Sequence, residues 1–454
     1  MVAEFIEKPL KNMTMIGRYN QVAIELDKKT LIAVLTTSLC MLFFIAMNIQ
    51  GESYKLAPFG LLILSLALVP LKKLRFISLK PFAWLVIGLF TYFLAYVISF
   101  IYHDESASVL DMPSRAVFAV LVLMTLIKYP PNLQAILWAI PIGGILTGLV
   151  ALYFQVAFET RAFYGHGFMV IQSSGMAAWV SCLSFVVAGF ALEQLKYQDS
   201  VLTCSTKTLK YLLAVACLGG VMALTASLLS GGRGAWVATP FILLGIAFLY
   251  RSIFTKKVIL GVTIAISITG TLGYPQIQPR IQTMVKELQL YNTGNIKIDN
   301  SSGARLTLWQ SAYFSFLEHP ILGVGRSGRQ ADKERQVEAK LSNPAILRHN
   351  SAHNQYLEML QTKGLVGFTA IMFMFSTGSW FFITKLREAV STKKPQVKLV
   401  AILGLVHVAS VMGYCLTQNY LNHHSGILLY VLGLVIISSL FTVINNENRI
   451  QKVD

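Results

Sequence analysis

The sequence predicts an all-α, polytopic integral membrane protein with about twelve transmembrane helices and one large helical loop outside the membrane. Three observations carry this. The 454-residue chain is 55% hydrophobic and 13% charged, whereas soluble domains average roughly 25% charge. The apolar residues are gathered into blocks of about 18 or more, long enough to cross a bilayer. The Lys and Arg residues are sorted between alternate connecting segments, as topology requires. Backbone amides in lipid must be satisfied within their own segment, so the blocks are predicted to be helices.

In chain order, spans are expected at 31–48, 56–70, 82–102, 115–128, 133–157, 168–194, 209–229, 235–250, 257–273, 365–385, 397–417 and 423–443. The resulting organisation is a membrane region over 1–273 with about nine spans, a large loop over 274–364, and a membrane region with about three spans plus a tail over 365–454. The N-terminal stretch is polar for about 30 residues, so it does not read as a cleavable signal, and the first apolar block is expected to remain as an anchor. No internal repeat is evident.

With the N-terminus inside, short inside loops carry Lys72, Lys73, Arg75, Lys80, Lys128, Lys196, Lys207, Lys210, Arg251, Lys256, Lys257, Lys385, Arg387, Lys393, Lys394 and Lys398. Short outside loops carry only Lys55, Arg115, Arg161 and Arg233. The bias of about fourfold puts both termini and the tail in the cytoplasm and the long loop outside. The same sorting accounts for the net charge of +17, which therefore does not call for a nucleic-acid partner. The five cysteines, Cys40, Cys182, Cys204, Cys217 and Cys415, show no metal-type spacing and none lies in the long loop, so no disulfide framework is expected.

The long loop reads as a folded, mostly helical cap. Leu306, Trp309, Tyr313 and Phe316 recur at helical spacing, Ser301 or Ser302 is a candidate cap, and His319-Pro320 ends the helix. A second helix is expected from about Ser351 to Thr362, with Gly364 as its stop.

Several outside residues have the chemistry to act on an anionic substrate. Ser230-Gly231-Gly232-Arg233-Gly234 combines a permissive backbone with a guanidinium suited to phosphate oxygens, although an arginine at this depth also serves simply to snorkel. Arg305 follows Gly303-Ala304 on the first loop helix. His349 and His353 stand four apart in Arg348-His349-Asn350-Ser351-Ala352-His353-Asn354-Gln355-Tyr356. On one helix they would share a face, but no third metal ligand and no zincin glutamate accompany them. A histidine is also a suitable base for a sugar hydroxyl. Gly323-Val324-Gly325-Arg326-Ser327-Gly328 matches a dinucleotide-binding string, but no strand–turn–helix unit surrounds it, so it reads as a turn from which Arg326 reaches an anion. Arg161, in Arg161-Ala162-Phe163-Tyr164-Gly165-His166, lies in another outside loop, where an aromatic interface belt is the plainer account. His423 and His424 also lie outside, with no role beyond interface polarity. The loop carboxylates Glu287, Asp299, Glu318, Asp332, Glu334, Glu338 and Glu358 read as solvated helix charges.

Ser-Gly-Gly-Arg233-Gly-Ala-Trp, Arg305-Leu-Thr-Leu-Trp, His319-Pro-Ile-Leu-Gly-Val-Gly and His353-Asn-Gln-Tyr-Leu together resemble the motifs of the O-antigen ligase and polymerase superfamily of bacterial membrane glycosyltransferases. The layout of spans, large loop and closing spans is similar over most of the chain. The resemblance implies a GT-C-like fold in the bacterial inner membrane, with the active site facing the periplasm. It implies metal-independent, inverting glycosyl transfer in lipopolysaccharide biosynthesis, with no cofactor: a glycan passes from undecaprenyl diphosphate to a lipid A–core acceptor. Arg233 and Arg305 then hold the donor diphosphate, and His353 activates or orients the acceptor hydroxyl. His349, Asn354, Tyr356, Arg326 and Arg161 are expected to support substrate binding. A polymerase extending a lipid-linked glycan, or a protein O-oligosaccharyltransferase, shares this donor and these motifs. A lipid transporter is a different class, and it predicts ionisable residues at mid-membrane. These are scarce here.

Overall fold

The computed structural model describes residues 29–68, 79–197, 205–257, isolated positions between 259 and 286, and 301–450. Among the described residues the protein is helical, apart from one isolated bridge between Gly165 and Phe168. Among the described residues, eight helices have the length and apolarity to cross a membrane. Three shorter apolar helices, Lys29–Ile45, Ser53–Leu68 and Gly234–Leu249, lie at expected spans. The expected span at 257–273 is described only at interrupted positions, helical where given, and the first part of the long loop falls largely outside the described residues.

We number the helices used below as α1 (Lys29–Ile45), α2 (Leu56–Leu68), α3 (Ala83–Tyr102), α4 (Asp111–Lys128), α5 (Leu133–Ala157), α6 (Val170–Tyr197), α7 (Thr206–Leu229) and α8 (Gly234–Leu249), followed by α9 (Ser301–Glu318), α10 (Gly325–Glu338), α11 (Gln355–Thr392), α12 (Pro395–Cys415) and α13 (His424–Ile450). Helix α6 is the centre of the bundle: 89% of its most apolar stretch is buried, against 39% for α3 at the periphery. A helix apolar on all sides belongs inside, surrounded by other helices. Helices α12 and α13 pack beside it, and α3 and α4 present Trp84, Phe90, Leu94 and Phe118 outward. Where α5 meets α7 the contact is backbone to backbone. A Cβ on Gly144 would sit 2.5 Å from the Gly219 carbonyl oxygen. Small residues permit this approach where dispersion, rather than water exclusion, holds helices together.

One histidine is buried in this core. His407 Nδ1 accepts from Trp179 Nε1 at 3.0 Å, and its Nε2 lies 2.9 Å from the Tyr430 carbonyl. The ring is thereby assigned as the neutral Nε2–H tautomer, and it ties α6, α12 and α13 together.

The connections expected on one side of the bilayer gather at one end of the bundle. Asn48 donates to the Ser173 carbonyl, Ala162 N to the Leu229 carbonyl, Thr417 to the Gly234 carbonyl and Leu421 N to Gln355. At the opposite end Thr36 reaches the Tyr129 carbonyl and Lys398 pairs with Glu193.

The described part of the cap, α9 and α10, sits at the first end. Among the described residues helix α9 runs from Ser301 and closes at Glu318, before His319-Pro320 as expected; Ser301 and Ser302, expected as caps, lie within the helix. The second loop helix differs from expectation: it begins at Gln355, not near Ser351, because the Asn354 carboxamide accepts from the Tyr356 and Leu357 amides and so caps it there. It is interrupted at Gly364, whose φ of 56° leaves the helical region. The interruption frees the Leu365 and Val366 amides, which donate to the Pro320 and Ile321 carbonyls. The His319–Gly325 motif is thus the backbone seat for this break, with Gly323 at φ 67°. The dinucleotide-like string holds no phosphate-binding turn in the nucleotide sense. Its latter half is the first turn of α10, and the Arg326 and Ser327 amides are caught by the Glu105 carboxylate.

Replacing His407 with Leu leaves the Trp179 indole N–H without its acceptor inside the bundle. We expect a loss of about 2 kcal/mol, read as a drop in the thermal midpoint of the detergent-purified protein; an unchanged midpoint contradicts the assigned role.

Candidate functional site

The end of the bundle that carries the cap holds the residues singled out by sequence. Ser230, Gly231 and Gly232 turn the chain from α7 into α8. Gly231 has φ 66°, Ser230 Oγ donates to the Ser227 carbonyl and accepts from Gly232 N, and Ser174 of α6 donates to the Gly232 carbonyl at 3.0 Å. Arg233, half-buried, stands at the N-terminus of α8, where the helix dipole adds to its positive charge. The next residue, Gly234, gives its carbonyl to Thr417, and Gln418 follows on that connection.

Gln418 leads to His353. Its Nε2 lies 3.2 Å from His423 Nε2, and its side chain also acts on His353. His353 is half-buried and stands at φ 51°, in the left-handed region. That conformation costs a bulky residue of order 1–3 kcal/mol and persists only where the surroundings over-determine it. They do so here through its neighbour. Ala352 N donates to Glu358 Oε2 at 2.9 Å, and the Ala352 carbonyl accepts from Trp309 Nε1 at 3.0 Å. Both polar groups of the residue before His353 are therefore held by side chains, one from α11 and one from α9. Glu358 is in turn paired with Arg329 of α10, its carboxylate 3% exposed.

The electrostatics favour a neutral imidazole. Burial lowers the His353 pKa below its ordinary 6.5, and the neighbouring Arg305 and His349 push the same way, opposed by Gln418 and Glu358. His353 Nδ1 is buried and has no hydrogen-bond partner among the described residues. His423 is lowered by burial, then by His353 and His424. His349 does not share a helical face with His353. Both precede α11, and their rings meet edge to face at 5.9 Å. Lys333, 1% exposed, donates to the His349 carbonyl at 2.6 Å. Burial, with help from Arg329, pushes the Lys333 ammonium down to about 8.

The expected site residues thus fall into groups. Arg305 and His349 both lie near enough to His353 to influence its charge. Arg233 stands one residue from the Gly234–Thr417 contact that leads to Gln418. Asn354 and Tyr356 have protein partners: Asn354 caps α11, and the Tyr356 hydroxyl donates to the Met412 carbonyl at 2.9 Å. Gln355 accepts from Leu421 N. The His-Asn-Gln-Tyr string therefore spends three side chains fastening α11 while His353 is presented. Arg326 has an exposed side chain at the start of α10. Arg161 lies 4.7 Å above the Tyr164 ring, in a loop bonded to the end of α7.

Two loop carboxylates are not solvated charges. Glu358 is 2% and Asp332 7% exposed. Asp332 accepts from Ser315, Gln336 and Arg335, so α9 and α10 are joined through a buried polar network. Glu358 was reachable only by folding the chain: a left-handed turn at His353 brings the start of α11 back under Ala352. Gln418 and His423 carried no signal beyond their place between two spans.

Comparison with known proteins adds two findings. Residues 218–372 match the family described as O-antigen ligase. The chain is also similar to an uncharacterised protein of Haemophilus influenzae, with 30% identity over 397 residues, covering 86% of this chain and 94% of that one. The family match contains Arg233, Arg305, Arg326, His349, His353, Asn354 and Tyr356, and leaves Arg161 outside.

Removing Glu358 leaves the half-buried Arg329 without its partner and the Ala352 amide without its acceptor. Glu358→Ala is expected to destabilise the protein by about 3 kcal/mol, and the Glu358→Ala/Arg329→Ala pair to cost less than the sum of the single changes. Additive effects on thermal unfolding would show that the two do not act as a pair.

Proposed function

The chain belongs to the O-antigen ligase superfamily, and from that membership and the arrangement around His353 we propose that it is an O-antigen ligase. In this reading it transfers a glycan from undecaprenyl diphosphate to a lipid A–core acceptor, by metal-independent inverting transfer at the periplasmic face of the inner membrane. Residues 274–364 form the periplasmic cap, 1–273 and 365–454 the membrane regions. The observation that carries the reading is the unpartnered His353 Nδ1, on an imidazole held neutral, with Arg305 beside it. A neutral ring nitrogen takes or orients a hydroxyl proton, and a guanidinium receives a phosphate.

The acceptor oxygen attacks the anomeric carbon as the bond from that carbon to the diphosphate oxygen breaks. The hydroxyl proton passes to His353, and the electron pair leaves with the diphosphate. Arg233 and Arg305 hold the departing charge, which assists catalysis to the extent that their contacts tighten in the transition state. The donor's own phosphate ester supplies the driving force, so no nucleotide is consumed. His349 and Arg326 line the approach, Asn354 and Tyr356 act by positioning α11, and Arg161 stands at the rim.

The test is transfer by purified protein in detergent, with undecaprenyl-diphosphate-linked glycan, lipid A–core and EDTA. Arg305→Ala and Arg233→Ala are each expected to lower kcat/KM by about 100-fold or more. His353→Asn, which suits a left-handed backbone better than alanine, is expected to lower kcat similarly while the protein stays folded. Transfer abolished by EDTA, or retained by His353→Asn, contradicts the mechanism. Extension of lipid-linked repeats in place of transfer to lipid A–core makes the protein a polymerase.

The pH profile follows from the lowered histidine. The active ring is neutral, so kcat/KM falls on the acid side as His353 gains a proton, with a midpoint below 6.5. An acid limb centred above 6.5 assigns the titration to another group.

A further inference from the structure

A second space, walled by polar side chains and by the methionines Met47, Met112, Met169 and Met176, lies beside His353, and it is built for something other than a diphosphate. A cavity of about 230 Å³ is bounded by the connection after α1, the start of α6 and the connection before α13, with Gln172, Ser173, Asn422, His423, Ser425 and Lys55 on its walls. Gln172 is fully buried. Its Oε1 accepts from Ser425 at 3.3 Å, but its Nε2 has no hydrogen-bond partner among the described residues. A buried amide donor left unpaired costs about 1–3 kcal/mol, so a ligand acceptor at this position is favoured. The cavity is closed above by a backbone contact that only glycine allows: a Cβ on Gly51 would lie 2.3 Å from the Gly167 carbonyl carbon.

The cavity adjoins the proposed reaction centre. His423 lines it and contacts Gln418, whose side chain also acts on His353. Leu421 N, two residues earlier, is held by Gln355. On its other side it shares Lys55 and His424 with an apolar groove of about 250 Å³ between α2, α4 and α13, walled by Pro58, Phe59, Phe118 and Leu432. The charges present are already matched. Lys55 pairs with Glu52, and Arg115 with Asp111 at 3.3 Å. A diphosphate entering the cavity meets the Glu52 carboxylate, and Asp111 in the adjoining groove, with no cation among the lining residues left unmatched by these pairs. A sugar ring meets amides, hydroxyls and imidazoles, the groups that pair with neutral hydroxyls.

We propose that this cavity is the acceptor-sugar subsite, in which Gln172 Nε2 donates to an oxygen of the acceptor saccharide while the acceptor's apolar chain lies in the adjoining groove. The inference rests on the ligase reading and names the place of that reaction's second substrate. It assigns the acceptor to the α2–α4–α13 side and leaves the donor diphosphate with Arg233 and Arg305.

The test uses the full-length protein with purified lipid A–core as the acceptor probe. Gln172→Leu removes the amide. Met169→Trp fills the cavity from a residue that is 49% exposed and lines its rim, so it does not disturb the buried hydrogen bonds. Each variant is expected to raise KM for lipid A–core about tenfold, Gln172→Leu through the loss of one hydrogen bond and Met169→Trp by obstructing the saccharide, with KM for the lipid-linked donor unchanged. Calorimetry of lipid A–core binding without donor is expected to weaken in parallel. Given an active wild type, an unchanged acceptor KM in Met169→Trp, or a donor KM that rises in step with it, overturns the subsite alone. A wild type that binds lipid A–core without transferring it overturns the ligase reading and leaves the subsite standing. A wild type that neither binds nor transfers it overturns both.

Discussion

The arrangement depends on the two hydrogen bonds made by Ala352. Its amide is held by Glu358 and its carbonyl by Trp309. Between them they determine the backbone on the near side of His353 and make a left-handed histidine tenable. The capping of α11 by Asn354 determines the far side. With the peptide held on both sides, the direction in which the His353 side chain leaves the backbone is set. Because Trp309 comes from α9 and the partner of Glu358 comes from α10, the cap helices are part of what presents His353.

Placing this at the end of a membrane bundle explains the concentration of buried charge there. Asp332 joins the two cap helices, Lys333 reaches from α10 to the His349 carbonyl, and Arg329 pairs α10 with Glu358 of α11. Lys363, 5% exposed, sets its ammonium 4.2 Å above the Tyr96 ring, a cation–π contact strengthened by desolvation. Glu105 caps α10 from the end of α3. Buried ions of this kind contribute little net stability, but each is costly to unpair. Their effect is to make the seat of the cap specific. The core of the bundle works differently, through small-residue contacts such as Gly144 against Gly219 and one neutral histidine bridge.

Much of this was legible beforehand. The apolar blocks marked the described spans, since nothing but a helix satisfies backbone in lipid. Helix α9 followed from Leu306, Trp309, Tyr313 and Phe316 at helical spacing, and Gly364 was correctly read as a break. The start of α11 was misplaced because periodicity does not report a left-handed residue, and helical spacing between His349 and His353 suggested a shared face that the turn removes. Glu358 and Asp332 looked solvated because burial by a neighbouring element leaves no trace in local composition.

The sequence by itself determined that the chain spans a membrane, which connections share a side, and which short strings carry arginine and histidine chemistry. Those properties are local: apolar length, charge bias and residue type need no partner to be read. Only the tertiary structure decided that the connection between α12 and α13 meets the Arg233 turn through Thr417 and comes beside His353 through Gln418 and His423, that Asn354 and Tyr356 fasten a helix, and that Gln172 lines a cavity next to His423. Those relations join residues separated by up to hundreds of positions, and they exist only once helix packing has brought the connections together at one end.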